Sequence, residues 1–282
     1  MTSQTSAAVA RRRRWNRYAG GLRGAGVVDA IDVPGRKPAL LAFHGFGCVP
    51  DEVQLLTALG AELGLHSRAP LLPGHGSSVE ALAVTRYADW YAAAEQQLFE
   101  LGAETPVILG GQSMGAVLAL DLAARHPARC AGLVLFAPAV RLATPFPSLA
   151  MRIATLLNIP DFALPKWGGP DLRDVEACAT HTTYEAQPFR AAVSLQRAGL
   201  DVLERLPRIH CPAFIAHGVL DRTAPVSNAW LVADRLGTTD VEVHLFRKSA
   251  HILTKDLERD VLRERVRAFL TRIVQGPAAR TS

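Results

Sequence analysis

Apolar residues arrive in two rhythms along this chain, and the alternation between them predicts its architecture. Ala39-Leu40-Leu41-Ala42-Phe43 is a short unbroken apolar run, the pattern of a strand buried on both faces. From Asp51 the spacing changes, and Val53, Leu56, Leu59 and Leu63 share one helical face. A second extended run leads to Pro70. Helical spacing returns over Arg86–Gly102, then Pro106–Gly110 reads as a strand and Met114–His126 as a helix stopped by Pro127. Ala131–Ala137, Pro212–His217 and Val241–Phe246 are further strands, with a helix around Ser227–Leu236. Leu262, Val266, Leu270 and Ile273 give a last helix, Leu257–Gln275, its apolar stripe. Strands alternating with helices predict an α/β fold: a mostly parallel central sheet with helices on both faces.

One segment breaks the rhythm. Between Ala137 and Pro212 the pattern offers no strand, prolines that include Pro145, Pro147, Pro160, Pro165 and Pro170 interrupt it, and short helical patterns cover Leu149–Leu157 and Arg190–Leu203. It is too long and too apolar for a loop. It predicts a helical cap insertion over residues 141–209, lying on the strand ends, between core segments 31–140 and 210–276. Phe146, Leu149, Met151, Ile153, Leu156, Leu157, Ile159, Phe162 and Trp167 divide between packing the cap and roofing the sheet edge. No internal repeat is present.

Hydrophobic residues make up 49% and charged residues 20% of the 282, the balance of a globular chain with a sizeable core. The net charge of +5 is concentrated in one run, Arg11-Arg12-Arg13-Arg14. No basic helix or aromatic platform accompanies it, so nucleic-acid binding is not expected. No apolar stretch follows the run as a signal peptide requires. Residues 1–30 are expected to be a disordered basic tail, with transient contact to anionic membrane through Arg11–Arg14 as the alternative, and residues 277–282 a second tail. Cys48, Cys130, Cys178 and Cys211 form no CxxC and no metal spacing, and are expected as free thiols in a cytoplasmic protein.

The chemistry starts at Gly111-Gln112-Ser113-Met114-Gly115. A GxSxG alone is weak evidence, but this one sits between a buried strand and a helix, the setting of a nucleophile elbow. The serine must stand on a strained turn, and side chains at the flanking positions would collide, so Gly111 and Gly115 suit them. A nucleophilic serine needs a base, and the base an orienting acid. Asp221 follows the strand ending His217-Gly218, and His251 follows the strand ending at Phe246, so both occupy loops on the elbow's edge of the sheet. Competing readings are a turn aspartate beside Arg222 and a surface-loop histidine. His217 is expected to pack at a strand end. The oxyanion hole needs two N–H groups: Met114, after the nucleophile, and Phe46 within His44-Gly45-Phe46-Gly47. His44 is expected to be structural and Cys48 not catalytic. Pro73-Gly74-His75-Gly76 is expected to shape the entrance, and Asp89-Trp90 to pack a helix on the sheet.

These motifs, in this order, resemble the α/β-hydrolase series. Ala69-Pro70-Leu71-Leu72-Pro73-Gly74-His75-Gly76 and Ser249-Ala250-His251-Ile252-Leu253-Thr254-Lys255-Asp256 resemble more narrowly the bacterial carboxylesterases and monoacylglycerol lipases with a small helical cap. The resemblance covers residues 36–275 apart from much of the cap. Leu71 stands where many relatives have Asp, Ala250 where Gly is usual, and Ala224 where a Val-like residue is usual; none removes a catalytic group. It implies an α/β-hydrolase fold and a serine esterase acting on a small-molecule ester or monoacylglycerol through an acyl-serine intermediate. That chemistry uses no cofactor and no metal. Acyl transfer, thioester hydrolysis and aminopeptidase activity remain open, since the same triad serves all of them. An aminopeptidase would need a cap acid for the substrate amine, and Asp161, Asp171, Asp174, Glu176 and Glu185 are available. A non-catalytic binding protein on this fold would be expected to have a broken triad, and this one is complete.

Overall fold

The computed structural model describes residues 21–143, 161–166 and 168–276. Among these, seven strands form the central sheet: β2 (Ile31–Val33), β3 (Arg36–Phe43), β4 (Leu65–Ala69), β5 (Val107–Gln112), β6 (Cys130–Phe136), β10 (Ala213–Gly218) and β11 (Val241–Phe246). Their spatial order is β11-β10-β6-β5-β3-β4-β2. All neighbours pair in parallel except β2, which runs antiparallel to β4 at one edge. This is the α/β-hydrolase architecture anticipated from the sequence.

Alternation along β3 shows why the strand reads as one apolar run. Leu41 and Phe43 join a core shared with helices Tyr87–Glu100, Met114–Arg125 and Phe189–Leu203, while Leu40 and Ala42 join the opposite core with helices Gln54–Glu62 and Arg259–Gln275. The helix after the elbow is buried from Met114 to Ala124, which accounts for the most apolar stretch of the sequence. No helix among the described residues is long and apolar enough to cross a membrane.

Two expectations change. The segment from Ala137 to Pro212 does contain strands: β7 (Ala163–Pro165) pairs antiparallel with β9 (Ala186–Pro188), and β8 (Thr183–Tyr184) pairs with β1 (Leu22–Arg23). A helix, Val175–Thr180, and the longer Phe189–Leu203 complete the described part of the insertion. The basic tail is also shorter than expected on its inner side, because residues 21–30 are held. Ala25 N–H donates to Thr180 O and Gly26 N–H to Thr182 Oγ1, besides the β1–β8 ladder. Residues 1–20 with Arg11–Arg14, residues 277–282, the helical pattern at 149–157 and, of the nine apolar cap residues named above, all but Phe162 lie outside the described residues. Cys130 and Cys211, on neighbouring strand starts, have their sulfurs 3.2 Å apart as free thiols.

Candidate active site

Ser113 occupies the turn between β5 and the helix Met114–Arg125 with φ 58°, a left-handed conformation that a non-glycine residue adopts only under constraint. Its N–H donates to Phe136 O at 2.9 Å, and its carbonyl accepts from Val117 N and Ala139 N. The flanking glycines are steric necessities. A Cβ on Gly115 would lie 1.8 Å from Phe43 O, and one on Gly111 would lie 2.4 Å from the Gly115 carbonyl carbon.

Asp221 and His251 come from the loops after β10 and β11 and meet with His251 Nδ1 2.7 Å from Asp221 Oδ2. Donation from Nδ1 leaves Nε2 as the basic nitrogen. Thr223 N and Ala224 N both donate to Asp221 Oδ1 at 2.8 Å. Burial alone would raise the Asp221 pKa, but the His251 charge, the His217 and His251 hydrogen bonds and the Ala224 N–H hold it well below the usual carboxylate range. Burial disfavours a charged His251; the Asp221 carboxylate, helped by Asp171 and Glu52, outweighs it and raises the ring's pKa. The sequence reading assigned His217 to packing. The structure adds a polar role: its Nε2 lies 2.9 Å from the same Asp221 oxygen, and its side chain is fully buried. The i,i+4 spacing after a strand end was the only signal of it.

The loop His44–Gly47 lies against the elbow, since a Cβ on Gly45 would be 3.4 Å from Ser113 Cβ. Met114, first residue of its helix, has no intrahelical acceptor for its N–H. Phe46 packs on Trp90 (5.5 Å between ring centres) and on His75 (6.3 Å), which fixes the backbone bearing its N–H. Trp90 Nε1 in turn donates to Pro73 O, so the Pro73–Gly76 loop sits under Phe46. Asp89 is exposed and caps its helix by accepting from Arg86 N, so Trp90 alone does the packing expected of the pair. His44 accepts from Leu72 N on Nε2, and burial lowers its pKa to about 4, a neutral ring in a structural place. Burial pushes the Cys48 thiol up, the opposite of an activated nucleophile.

Ser113, His251 and Phe46 open on one cavity of about 510 Å³. Leu142, Leu164, Phe189, Ala192 and Leu195 line it with apolar surface, mostly from the insertion. The cavity is also lined by polar groups that the sequence reading did not single out: buried Glu52, His181 and Thr183 and half-buried Lys166, beside Cys48. Glu52 Oε2 accepts Gly45 N–H at 2.5 Å and so anchors the His44–Gly47 loop, while Lys166 Nζ donates to Thr183 Oγ1 at 2.7 Å. Burial raises the Glu52 pKa and lowers those of Lys166 and of His181, the last to about 3. Cys48, Glu52 and His181 present ligand atoms within 4.8 Å of one another, the one group among the described residues with the makings of a metal site. Lys166 lies near the same acid and thiol, and both favour its charged form against burial.

The profile described as serine aminopeptidase, S33, matches residues 35–258. A thermostable monoacylglycerol lipase from Bacillus sp. (strain H-257) is 29% identical over 234 residues, spanning 83% of this chain and 90% of that protein. A carboxylesterase from Bacillus subtilis (strain 168) is 24% identical over 241 residues, spanning 85% of this chain and 94% of that one. A structure reported with the metagenome-derived lipolytic enzymes LipS and LipT superposes with a TM-score of 0.78 at 27% identity, covering 88% of this chain and 98% of that chain.

Proposed function

Since the chain belongs to the serine aminopeptidase S33 family of α/β-hydrolases, we propose that Ser113, His251 and Asp221 hydrolyse carboxylic esters bearing one apolar acyl chain, of the monoacylglycerol and simple carboxylester type. The observation that carries the reading is that His251, held to Asp221 at 2.7 Å, lines the same cavity as Ser113. Ser113 Oγ attacks the ester carbonyl as His251 Nε2 takes its proton. The tetrahedral oxyanion accepts from the N–H groups of Phe46 and Met114. Collapse expels the alcohol, protonated by His251, and leaves acyl-Ser113. Water, deprotonated by His251, attacks the acyl carbon and releases the acid. Asp221 holds the ring and stabilises its charged form.

We assign residues 141–209 to the cap, whose apolar wall takes the acyl chain, and residues 31–140 and 210–276 to the core. Residues 21–30 go with the cap through the β1–β8 pairing. An aminopeptidase needs a free acid in the cavity for its substrate amine, yet of the five acids named in the insertion only Asp171 lines the cavity, and its carboxylate is engaged by Arg222 and Thr223. This favours esters over aminoacyl amides. The compartment that suits free thiols is the cytoplasm, and Arg11–Arg14 provides at most a transient contact with anionic lipid. A panel of matched ester, thioester and aminoacyl amide substrates tests the reading: kcat/KM is expected highest for the ester. Faster turnover of the aminoacyl amide would overturn it.

A further inference from the structure

We infer that Asp171 is a positioning residue for the triad, holding the acid loop and the base loop in one register from the insertion. The inference rests on the ester-hydrolase reading for the reaction concerned. The side chain of Asp171 is only 10% exposed and faces the cavity. Its peptide carbonyl accepts from His251 N at 3.1 Å and from Ile252 N at 3.2 Å. Its carboxylate accepts from Arg222 N at 2.8 Å, Arg222 Nε at 3.1 Å and Thr223 Oγ1 at 2.9 Å. One residue therefore grips the chain on both sides of the His251–Asp221 hydrogen bond.

The grip on the acid loop reaches the acid itself. Thr223, held by its hydroxyl to Asp171, donates its own N–H to Asp221 Oδ1 at 2.8 Å. Displacing the Arg222–Thr223 backbone would rotate the carboxylate that orients His251. A surface ion pair does not explain this arrangement, since Arg222 is 70% exposed and such a pair contributes little. The other donors to its carboxylate are a backbone N–H and a hydroxyl, which fix position more than they add stability. A second clamp keeps Asp171 in place. The fully buried Asp256 accepts Arg173 N and Asp174 N on Oδ1, and Ala250 N on Oδ2 at 2.7 Å. The insertion is thus tied to the histidine loop at two consecutive points, and its placement is coupled to triad geometry.

The test compares Asp171→Ala, Asp171→Asn and Thr223→Val with the wild type. The readouts are steady-state hydrolysis of p-nitrophenyl butyrate, the rate of fluorophosphonate labelling, and the low-field proton resonance of the His251 Nδ1–H···Asp221 bond. Asp171→Ala is expected to lower kcat and the labelling rate about 10- to 100-fold, with KM little changed, because the loss is of alignment and not of substrate contact. Asp171→Asn keeps an acceptor oxygen and recovers part of the rate, and Thr223→Val loses several-fold. The low-field resonance moves or broadens in Asp171→Ala. Should that variant not fold, the other two carry the test. Rates and resonance unchanged in every variant that folds would overturn the inference. A wild-type protein that neither labels nor hydrolyses esters would instead overturn the functional reading.

Discussion

The carboxamide of Gln112 donates to the backbone carbonyl of His251 at 2.7 Å, so the residue beside Ser113 holds the His251 loop. The two are 139 positions apart in sequence, and Gln112 is fully buried. Gln112→Leu removes that donor and leaves the His251 carbonyl with the Leu253 N–H alone. The expected cost is about 0.5–1.5 kcal/mol of stability and about a tenfold fall in kcat. Denaturant unfolding and steady-state kinetics on the same preparation check both.

The pH dependence has a definite sign. His251 acts as base only when neutral, and its pKa is raised by Asp221, so kcat/KM falls as pH drops through a value above the ordinary imidazole pKa of about 6.5. The groups facing it are Asp221, Asp171 and Glu52, all acids, and each favours the charged ring. A kcat/KM profile between about pH 5 and 9 on a substrate that does not titrate locates the limb. A flat profile would contradict a histidine base.

Acyl-chain preference follows from the cavity wall. Leu164, Phe189, Ala192 and Leu195 offer apolar surface beside Ser113, and each buried CH₂ contributes about 0.8 kcal/mol at most. kcat/KM is expected to rise from acetate to medium-chain p-nitrophenyl esters, and monoolein to outpace triolein. Leu195→Trp should move the optimum to shorter chains. A rate independent of chain length in both proteins would show that this wall is not the acyl site.

Deleting residues 1–20 should leave hydrolysis of a water-soluble ester unchanged, because residues from Gly21 onward are themselves tied to the insertion, with Glu185 N–H donating to Gly21 O. Replacing Arg11–Arg14 by alanine should weaken binding to anionic vesicles at low salt and have no effect at high salt. Co-sedimentation with vesicles containing phosphatidylserine measures this.

What the sequence made legible was local. β3, β5, β6 and β10 are buried on both faces and read as continuous apolar runs, and each motif of the elbow, acid and histidine loops lies within a few consecutive residues. The insertion's strands were hidden because β7, β8 and β9 have only two or three residues each, and Pro165 and Pro188 read as breakers. β2 was missed for the same reason of length, with one polar residue in three. The polar cavity wall leaves no local trace: Cys48 meets His181 across 133 positions, and Asp171 meets Thr223 across 52. A buried carboxylate such as Glu52 or Asp256 is indistinguishable in sequence from an exposed one until its donors are placed around it.

The central claim is that Ser113 is the nucleophile. The most direct measurement is intact-mass and peptide-mapping analysis of the protein after a fluorophosphonate probe, run beside Ser113→Ala with ester hydrolysis followed in both. The account predicts one adduct per chain, mapped to Ser113, and a fall in kcat/KM on the order of 10⁴-fold or more in a variant that still folds. An adduct on another residue, or Ser113→Ala retaining activity within about tenfold of wild type, would contradict it.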